Sequence, residues 1–427
     1  MPGDILVRIK DKMELMTSQQ DMAECCICRV PNSFRNVKPE AYTPQLISIG
    51  PLHRGDERLK GMEEQKLRYY KEFTERQDGD VRKKMEELVM CIKNKEADIR
   101  ACYSENFNEI TSSDFIEMIL LDAVFIIKFF QLSNGQSLNL KPWMIFDIRE
   151  DLMLLENQLP FFIIEEIHDE AYRARQETIS IPFLNLATVH FGKYLFSQGV
   201  QETDHFTDVE KSRHFTDLIR SFMLKGSIQR RFIFQAFPVK LKYNAVMLRQ
   251  AGMKFQVTED KCLVNITFEK GVLKIPRLEV DYCFERLVRN IMAFEQCFTP
   301  FKAYVCNYIM FMDLLIDSAE DVDLLAENRI IQNLLVEKGI ILHWLGDDAA
   351  VSNMINNFCE NIGDNYTCFG DISRELNAHY ENHWNHRKAT LKLVYFPNIW
   401  RGTATVAAAI LLILTFIQTI SSVKSFY

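Results

Sequence analysis

One uninterrupted apolar stretch near the end of the chain constrains the fold more than any other feature. From Thr403 to Val423 the sequence runs for 21 residues without a charged side chain. A helix of that length is about 31 Å long, which matches the hydrocarbon thickness of a bilayer, and buried helices of soluble domains rarely run this far without a charge. We therefore predict a single membrane-spanning helix that meets lipid along Ala408, Leu412 and Phe416.

Residues on either side of the stretch suit the two faces of a membrane. Trp400 and Tyr427 are aromatic residues of the kind that prefers the interface. Arg401 and further basic residues precede the stretch, whereas Lys424 follows it. Because positive charge favours the cytosolic side, we expect a tail-anchored protein with its bulk in the cytosol, at the plasma membrane or the endoplasmic reticulum. The charged first twenty residues predict no secretory signal.

The charge balance is mildly acidic, with 50 Lys and Arg residues against 58 Asp and Glu residues and a net charge of −8. A protein that binds nucleic acid needs a basic face to neutralise phosphates, so we expect no nucleic-acid partner. The hydrophobic share of 48% is enough for a large folded core.

Helix-forming sequence dominates the rest of the chain. Two helices are predicted between residues 62 and 103, and the others are predicted at Ser113–Gln131, Ile145–Glu166, Leu184–Phe196, Asp208–Leu224, Tyr282–Phe298, Phe301–Ala319, Ala326–Lys338 and Ile372–Val394. The exception is Lys254–Glu279, where β-branched residues flank a hairpin turn at Lys270 and Gly271. The predicted fold class is therefore mainly α, a large helical domain with one small antiparallel β element and a single C-terminal transmembrane helix.

These patterns predict a linear order of segments along the chain. A variable segment at 1–23 precedes a helical domain at 24–395, which holds the β insertion near 254–279. A juxtamembrane segment at 396–402, the span at 403–423 and a short tail at 424–427 complete the order.

Four sequence blocks resemble the plant family called domain of unknown function 247. The first is RVPNSFRNVKPEAYTPQLISIGPLHRG, from Arg29 to Gly55. The next two are DFIEMILLDAVFIIKFF at 114–130 and DLMLLENQLPFFIIEEI at 151–167, and the last is the C-terminal span. The resemblance covers nearly the whole chain.

The chain departs from the family pattern in a few places. Ala123 and Val124 stand where the family usually has a Gly-Cys pair, Lys128 where an acid is common, and Arg54 in place of a frequent second histidine. The resemblance implies a membrane-associated plant protein without an established activity. Some grass members are implicated in self-incompatibility, which implies recognition between proteins.

Two acidic residues inside apolar blocks are the strongest candidates for a site. Asp122 lies in MILLDAVFII and Glu156 in LMLLENQLPFF. A buried carboxylate is costly unless it is paired, so we expect partners among Arg29, Arg35, His53 and Lys66. The structural interpretation is a buried ionic lattice that locks helices together. The catalytic alternative is a general acid and base pair formed by Asp122 and Glu156, with His53.

A metal site is suggested by three histidines. His379, His383 and His386 lie at i, i+4 and i+7 of a predicted helix, so all three could face a Zn²⁺ or Cu²⁺ ion. Surface histidines near a membrane end are the plainer interpretation, and Trp384 between them suggests packing. The chain holds no phosphate-binding, dinucleotide or metalloprotease motif, so no cofactor is predicted.

The function favoured by these features is binding rather than catalysis. We predict a membrane-tethered protein-interaction or recognition module with the lipid bilayer and a protein of unknown identity as partners. The alternative is an uncharacterised enzyme that uses Asp122 and Glu156. Ala404 and Ala408 have the spacing that permits close helix pairing, so a homo-oligomer stays open.

Overall fold

The structure is a computed structural model of the chain. It describes residues 26–75, 81–135, 140–173, 181–195, 212–224, 233–234, 239–258, 260, 262–333, 347–360, 362, 366–390 and 399–424. The described residues are 66% helical with a small sheet, which confirms the predicted fold class. It divides into two compact units, Met1–Ser227 with Asp281–Cys306 and Glu360–Gly363, and Ile228–Val280 with Asn307–Cys359 and Asp364–Tyr427.

The first unit is built from helices. These are α1 (Asn32–Arg35), α2 (Glu63–Glu75), α3 (Val81–Asn94), α4 (Glu96–Ala101), α5 (Ser112–Gly135), α6 (Pro142–Asp151), α7 (Phe161–Arg173), α8 (Phe183–Leu195), α9 (Phe215–Met223) and α11 (Phe284–Phe298). Short 3-10 turns at Pro39–Tyr42, Glu57–Met62 and Pro300–Lys302 connect them. The two helices predicted between residues 62 and 103 are separated in the sequence by Asp78, Gly79 and Asp80, which lie outside the described residues.

Helix α5 is the centre of the first unit. Its sequence is apolar on almost every side, which is the pattern of a helix buried all round, and it packs against α2, α3, α7 and α8. Phe125, Phe129 and Phe130 are fully buried in it, and the rings of Phe125 and Phe129 are stacked 6.0 Å apart. Truncation of such a phenylalanine to alanine costs about 3–5 kcal/mol, so this helix carries much of the core.

The predicted single helix Ile145–Glu166 is wrong in its middle. Helix α6 ends at Asp151 and the next helix, α7, begins at Phe161. Residues 152–160 between them form a loop, named here the ENQ loop. Pro160 explains part of the break because it has no N–H and forces the preceding residue into extended conformations. The loop thereby places Glu156, Asn157 and Gln158 off any helix surface.

The second unit contains the remaining elements. Its helices are α10 (Ala245–Gln250), α12 (Tyr304–Leu315, which begins within the first unit), α13 (Ala319–Glu327), α14 (Asp348–Phe358), α15 (Gly370–Glu381), α16 (His383–Thr390) and α17 (Ile399–Lys424). Its strands are β1 (Ile233–Phe234), β2 (Lys254–Thr258), β3 (Thr267–Glu269), β4 (Val272–Pro276), β5 (Leu278–Val280), β6 (Ile331–Asn333) and β7 (Tyr366–Thr367).

The predicted hairpin is present as β3 and β4, which pair antiparallel. Lys270 and Gly271 have φ angles of 50° and 78°, and two such residues in sequence are typical of the tight type I′ turn. Strand β2 joins the other side of β4 in parallel, so the small sheet is mixed. Two further strand pairs, β5 with β6 and β1 with β7, lie outside the predicted element.

Two further predicted helices are wrong. Of the described residues in the one predicted at Ala326–Lys338, only Ala326 and Glu327 are helical, as the end of α13, because Arg329 has a left-handed φ of 59° and the chain continues into β6. The one predicted at Ile372–Val394 breaks at Asn382, whose ψ of 108° is extended. Residues 334–338 and 391–394 of these predictions lie outside the described residues.

Helix α17 is long and apolar enough to cross a membrane. Its window Thr403–Ser421 has a mean hydropathy of 2.1 with 0% of it buried, and no other described helix has this length and composition. Thr415 and Thr419 donate their hydroxyls to the carbonyls of Leu411 and Thr415, so these polar groups are satisfied within the helix. The predicted interfacial Tyr427 lies outside the described residues.

Candidate functional site

The residues of the first sequence block form an extended segment in the first unit, named here the signature segment, residues 29–55. Apart from α1 and one 3-10 turn it has no regular structure, so its buried N–H and C=O groups need partners from elsewhere. Side chains from α2, α5, α6, the ENQ loop and α11 supply them. The three family blocks therefore meet in one buried network.

Glu156 is the centre of this network. Its Oε1 accepts hydrogen bonds from the backbone N–H of Val30, at 2.5 Å, and from the guanidinium of Arg35. Its Oε2 lies 3.0 Å from Nε2 of His53 and 4.0 Å from Nη1 of Arg29. The side chain of Glu156 is fully buried, whereas Arg29 is half exposed. The expected pairing of this acid with basic residues of the signature segment is confirmed.

Electrostatics keep the Glu156 carboxylate ionised. Burial works to raise its pKa, but His53, the Val30 amide and Arg35 together outweigh burial and hold the pKa below its ordinary value. A carboxylate that is ionised and surrounded by fixed donors is a poor proton donor or acceptor at neutral pH. The arrangement favours a structural ion cluster over a general acid.

Asp122 forms the second buried pair. Its Oδ1 lies 2.6 Å from Nζ of Lys66, and its Oδ2 accepts from the N–H of Gly50 at 2.8 Å. The Lys66 ammonium also donates to the carbonyl of Ser48 and to the carboxylate of Glu63, at 2.7 and 2.6 Å. Burial lowers the pKa of Lys66, but these two carboxylates outweigh burial and raise it, so the ammonium stays protonated. The pair ties α2 and α5 to the signature segment.

Gly50 packs tightly against the ENQ loop. Its φ of +70° is left-handed, and a Cβ built there would lie 2.6 Å from the carbonyl oxygen of Gln158 and 2.9 Å from the Tyr103 hydroxyl. The same hydroxyl donates to the Gln158 carbonyl at 2.9 Å. No side chain larger than hydrogen is accommodated at this position.

Asn157 and Gln158 cross-link backbone, as their residue types predict. The Asn157 amide accepts from the N–H of Ile49 at 2.7 Å and donates to the carbonyls of Ile47 and Asp151, both at 3.0 Å. Gln158 donates to two carbonyls of its own loop and accepts from the N–H of Phe215, at 2.9 Å. The two amides replace the hydrogen bonds that a helix would have made across the ENQ loop.

Asp151 has a structural role that the sequence did not reveal. It ends α6, and its carboxylate accepts from the N–H groups of Gln45, Leu46 and Ile47 at 2.7 to 2.9 Å and from Arg286 at 3.0 Å. The acid lies at the first position of the third family block, but its partners come from 104 to 135 residues away. The only local signal for this role is that Asp151 lies between Glu150 and the apolar run that follows.

Further buried polar residues extend the network through α9 and α11. Asn290 accepts from the N–H of Leu155 at 3.0 Å and donates to the carbonyl of Ala41 at 2.8 Å. Burial lowers the pKa of His214 to about 4, so the ring is neutral. Its Nε2 lies 3.0 Å from the carbonyl of Cys26, which assigns the proton to that nitrogen.

Two departures from the family pattern have visible contacts. Lys128 is buried in α5 with its Nζ 3.4 Å from the carboxylate of Glu72. Arg54, which is exposed, donates a hydrogen bond of 2.7 Å to the carbonyl of Asp114. Lys128 therefore joins α5 to α2, and Arg54 joins the signature segment to α5.

The three histidines predicted as metal ligands do not share one helix. The break at Asn382 separates His379 on α15 from His383 and His386 on α16. His379 packs edge-on against the ring of Phe268, and Nε2 of His386 lies 2.7 Å from a backbone carbonyl. Within the described part of the chain, no group of three or more His, Cys, Asp or Glu residues is placed to hold a metal ion.

The fold and the site together define a class, a mainly helical protein whose N-terminal signature segment is locked by buried ion pairs and whose last helix is of membrane-spanning length. The sequence profile of a plant family, domain of unknown function 247, described as "Plant protein of unknown function", matches residues 27–414. The chain belongs to this family, which confirms the resemblance.

Two Arabidopsis thaliana proteins are similar to the chain over nearly their whole lengths. The UPF0481 protein At3g47200 is 27% identical over 444 residues, which cover 96% of this chain and 89% of that protein. A second UPF0481 protein, At3g02645, is 22% identical over 516 residues, which cover 98% of this chain and 94% of that protein. No solved structure gives a significant match.

Proposed function

We propose that the protein is a membrane-tethered module that binds another protein. The observation that carries this proposal is that its two candidate catalytic acids are buried and already bonded within the chain. Asp122 and Glu156 are both fully buried, and each carboxylate is engaged by donors of its own chain. A general acid or base needs contact with a substrate proton, which these contacts leave no room for.

Helix α17 supports the tether. Its apolar window is exposed along its length, and an exposed apolar helix of this size is stable only in lipid or against a partner. The basic residues before it, including Arg387 and Lys388, favour a cytosolic position for the folded part. Anchoring raises the local concentration of the module at the membrane, which strengthens binding to a partner held there.

An exposed aromatic patch in the first unit supports the binding role. Trp143 and Phe146 lie one turn apart on α6, and the ring of Phe146 meets that of Tyr282 edge to face at 6.1 Å. All three side chains are exposed, Trp143 by 53%. Exposed tryptophan and tyrosine are the residues most enriched at the centres of protein interfaces. We assign the aromatic patch, Trp143, Phe146 and Tyr282, to an apolar segment of the partner; self-incompatibility recognition would be one instance.

Affinity capture with the full-length protein in lipid nanodiscs, applied to extracts of plant membranes, tests the proposal. We expect one stoichiometric protein, whose recovery falls at least about tenfold in the Trp143→Ala/Phe146→Ala variant, as is usual for loss of interface anchors. The matched control is Leu67→Ala, since Leu67 is equally exposed, at 54%, on α2. Equal loss in the control, or repeated recovery of a small molecule instead of a protein, would contradict the proposal.

A further inference from the structure

Helix α16 is held on the second unit by one of its faces. The amide of Asn385 donates to the carbonyl of His379 at 2.8 Å, and Nε2 of His386 lies 2.7 Å from the carbonyl of Tyr380. The rings of Tyr380 and His386 also meet edge to face at 4.7 Å. These contacts come from the preceding helix, α15, and they fix the rotation of α16 about its own axis.

The small residue Ala389 completes this inner face. It is buried, and a Cβ built on Gly252 would lie 3.1 Å from the Ala389 side chain. Gly252 itself has a left-handed φ of +82°. The close approach leaves no space for α16 to roll, so the opposite face of the helix is held outward.

The outward face combines an aromatic ring with positive charge. Trp384 is 74% exposed, more than any other large apolar side chain in the described residues. Arg387 and Lys388 follow at i+3 and i+4, so they share its side of the helix, and the guanidinium of Arg387 lies 5.6 Å from the Trp384 ring centroid. His383 is exposed beside them. We name Trp384, Arg387 and Lys388 the basic-aromatic face.

The chain length confines this face to the neighbourhood of α17. Eight residues, 391–398, separate Thr390 at the end of α16 from Ile399 at the start of α17. Nine Cα steps of at most 3.6 Å reach about 32 Å. If α17 spans a bilayer, α16 is therefore held within a short distance of the lipid headgroups.

We infer that the basic-aromatic face docks on anionic lipid headgroups, an inference that rests on the proposed membrane tether. Tryptophan prefers the headgroup level because its ring is apolar and its N–H is polar, and Arg and Lys are attracted to anionic lipid. Lysine is depleted at the cores of protein interfaces, whereas Lys388 lies beside Trp384 on this face. The docked helix holds the second unit in a defined orientation on the membrane.

Hydrogen exchange of residues 383–390 in the full-length protein tests this inference. The protein is placed in nanodiscs of phosphatidylcholine alone or with phosphatidylserine. We expect several-fold slower exchange of α16 amides in the anionic discs, and loss of that difference in Arg387→Glu/Lys388→Glu. The matched control is Arg374→Glu on α15, which removes an exposed arginine paired only with its own turn and should keep the difference.

The other possible outcomes of this experiment reject either the lipid inference alone or the membrane tether as well. Equal exchange in neutral and anionic discs overturns the lipid inference while leaving the tether intact. Slow exchange in detergent without lipid, increasing with protein concentration, assigns the face to a second copy of the chain and also overturns it. If the full-length protein does not enter nanodiscs and carbonate extracts it from membranes, the tether itself is rejected, and this inference with it.

Discussion

The Glu156 cluster, formed by Glu156 with Arg29, Arg35 and His53, and the basic-aromatic face contain the same kinds of basic side chain in opposite environments. In the cluster, Arg35 and His53 contact a fully buried carboxylate, and these contacts hold the signature segment in place. On α16, Arg387 and Lys388 have no such buried acid and point to solvent beside Trp384. The difference teaches that burial and pairing, rather than residue type, separate residues that hold the fold from residues available to a partner.

Removing the acid from the cluster is the sharpest way to break this comparison. Glu156→Gln leaves Arg35 beside a neutral group in a buried site, so we expect a loss of about 3–5 kcal/mol in the free energy of unfolding. The measurement is urea unfolding of the full-length protein in detergent. Glu64→Gln, which removes an exposed partner of Arg68, should change stability by less than about 0.5 kcal/mol.

A backbone position tests the packing of the same cluster. Gly50→Ala combines a left-handed φ with a 2.6 Å approach to the Gln158 carbonyl, so we expect a loss of about 2–4 kcal/mol. Gly61→Ala is the matched change, because a Cβ there meets nothing within 4 Å. If the two variants unfold at the same urea concentration, the contact between signature segment and ENQ loop is not tight.

The neutral His214 ring predicts a pH dependence. Its folded pKa of about 4 lies below the unfolded value, so the unfolded state takes up a proton first as the pH falls. Its contribution to stability is therefore present above about pH 6.5 and is lost toward pH 4, by about 2 kcal/mol between pH 7 and pH 5. Unfolding at both pH values should show this decrease in the wild type and a smaller one in His214→Gln.

Charge reversal on α16 should have the smallest effect on stability. Arg387→Glu/Lys388→Glu changes only solvent-exposed side chains, so we expect a change within about 0.5 kcal/mol in urea unfolding. A loss as large as that of Glu156→Gln would show that this face holds the fold and would remove the contrast between the two regions.

The sequence predicted what local chemistry determines. Long apolar stretches indicated α5 and α17, and Lys270 with Gly271 indicated the hairpin. The sequence also predicted that Asp122 and Glu156 each pair with a basic residue, because a carboxylate buried in an apolar run needs a cation beside it.

What the sequence did not predict depends on residues far apart in the chain. The composition of LMLLENQL predicts a helix, whereas Pro160 and the distant groups bonded by Asn157 and Gln158 favour the loop. Asp151 was missed for the same reason, since its partners Ile47 and Arg286 are distant in sequence. Strand β6 pairs in parallel with β5, which is distant in sequence, and the break at Asn382 separates His379 from His383 and His386.

The most direct test of a structural role for the buried acids is partner capture by a folded protein that lacks one of the pairs. Asp122→Asn/Lys66→Gln removes both charges and keeps an acceptor for the Gly50 N–H and a donor for the Ser48 carbonyl. We predict that this full-length variant loses less stability than the sum of the losses in its two single variants. In nanodiscs it should capture the same protein from plant-membrane extracts as the wild type. A variant that unfolds like the wild type but no longer captures its partner would contradict the account, because these charges would then serve function directly.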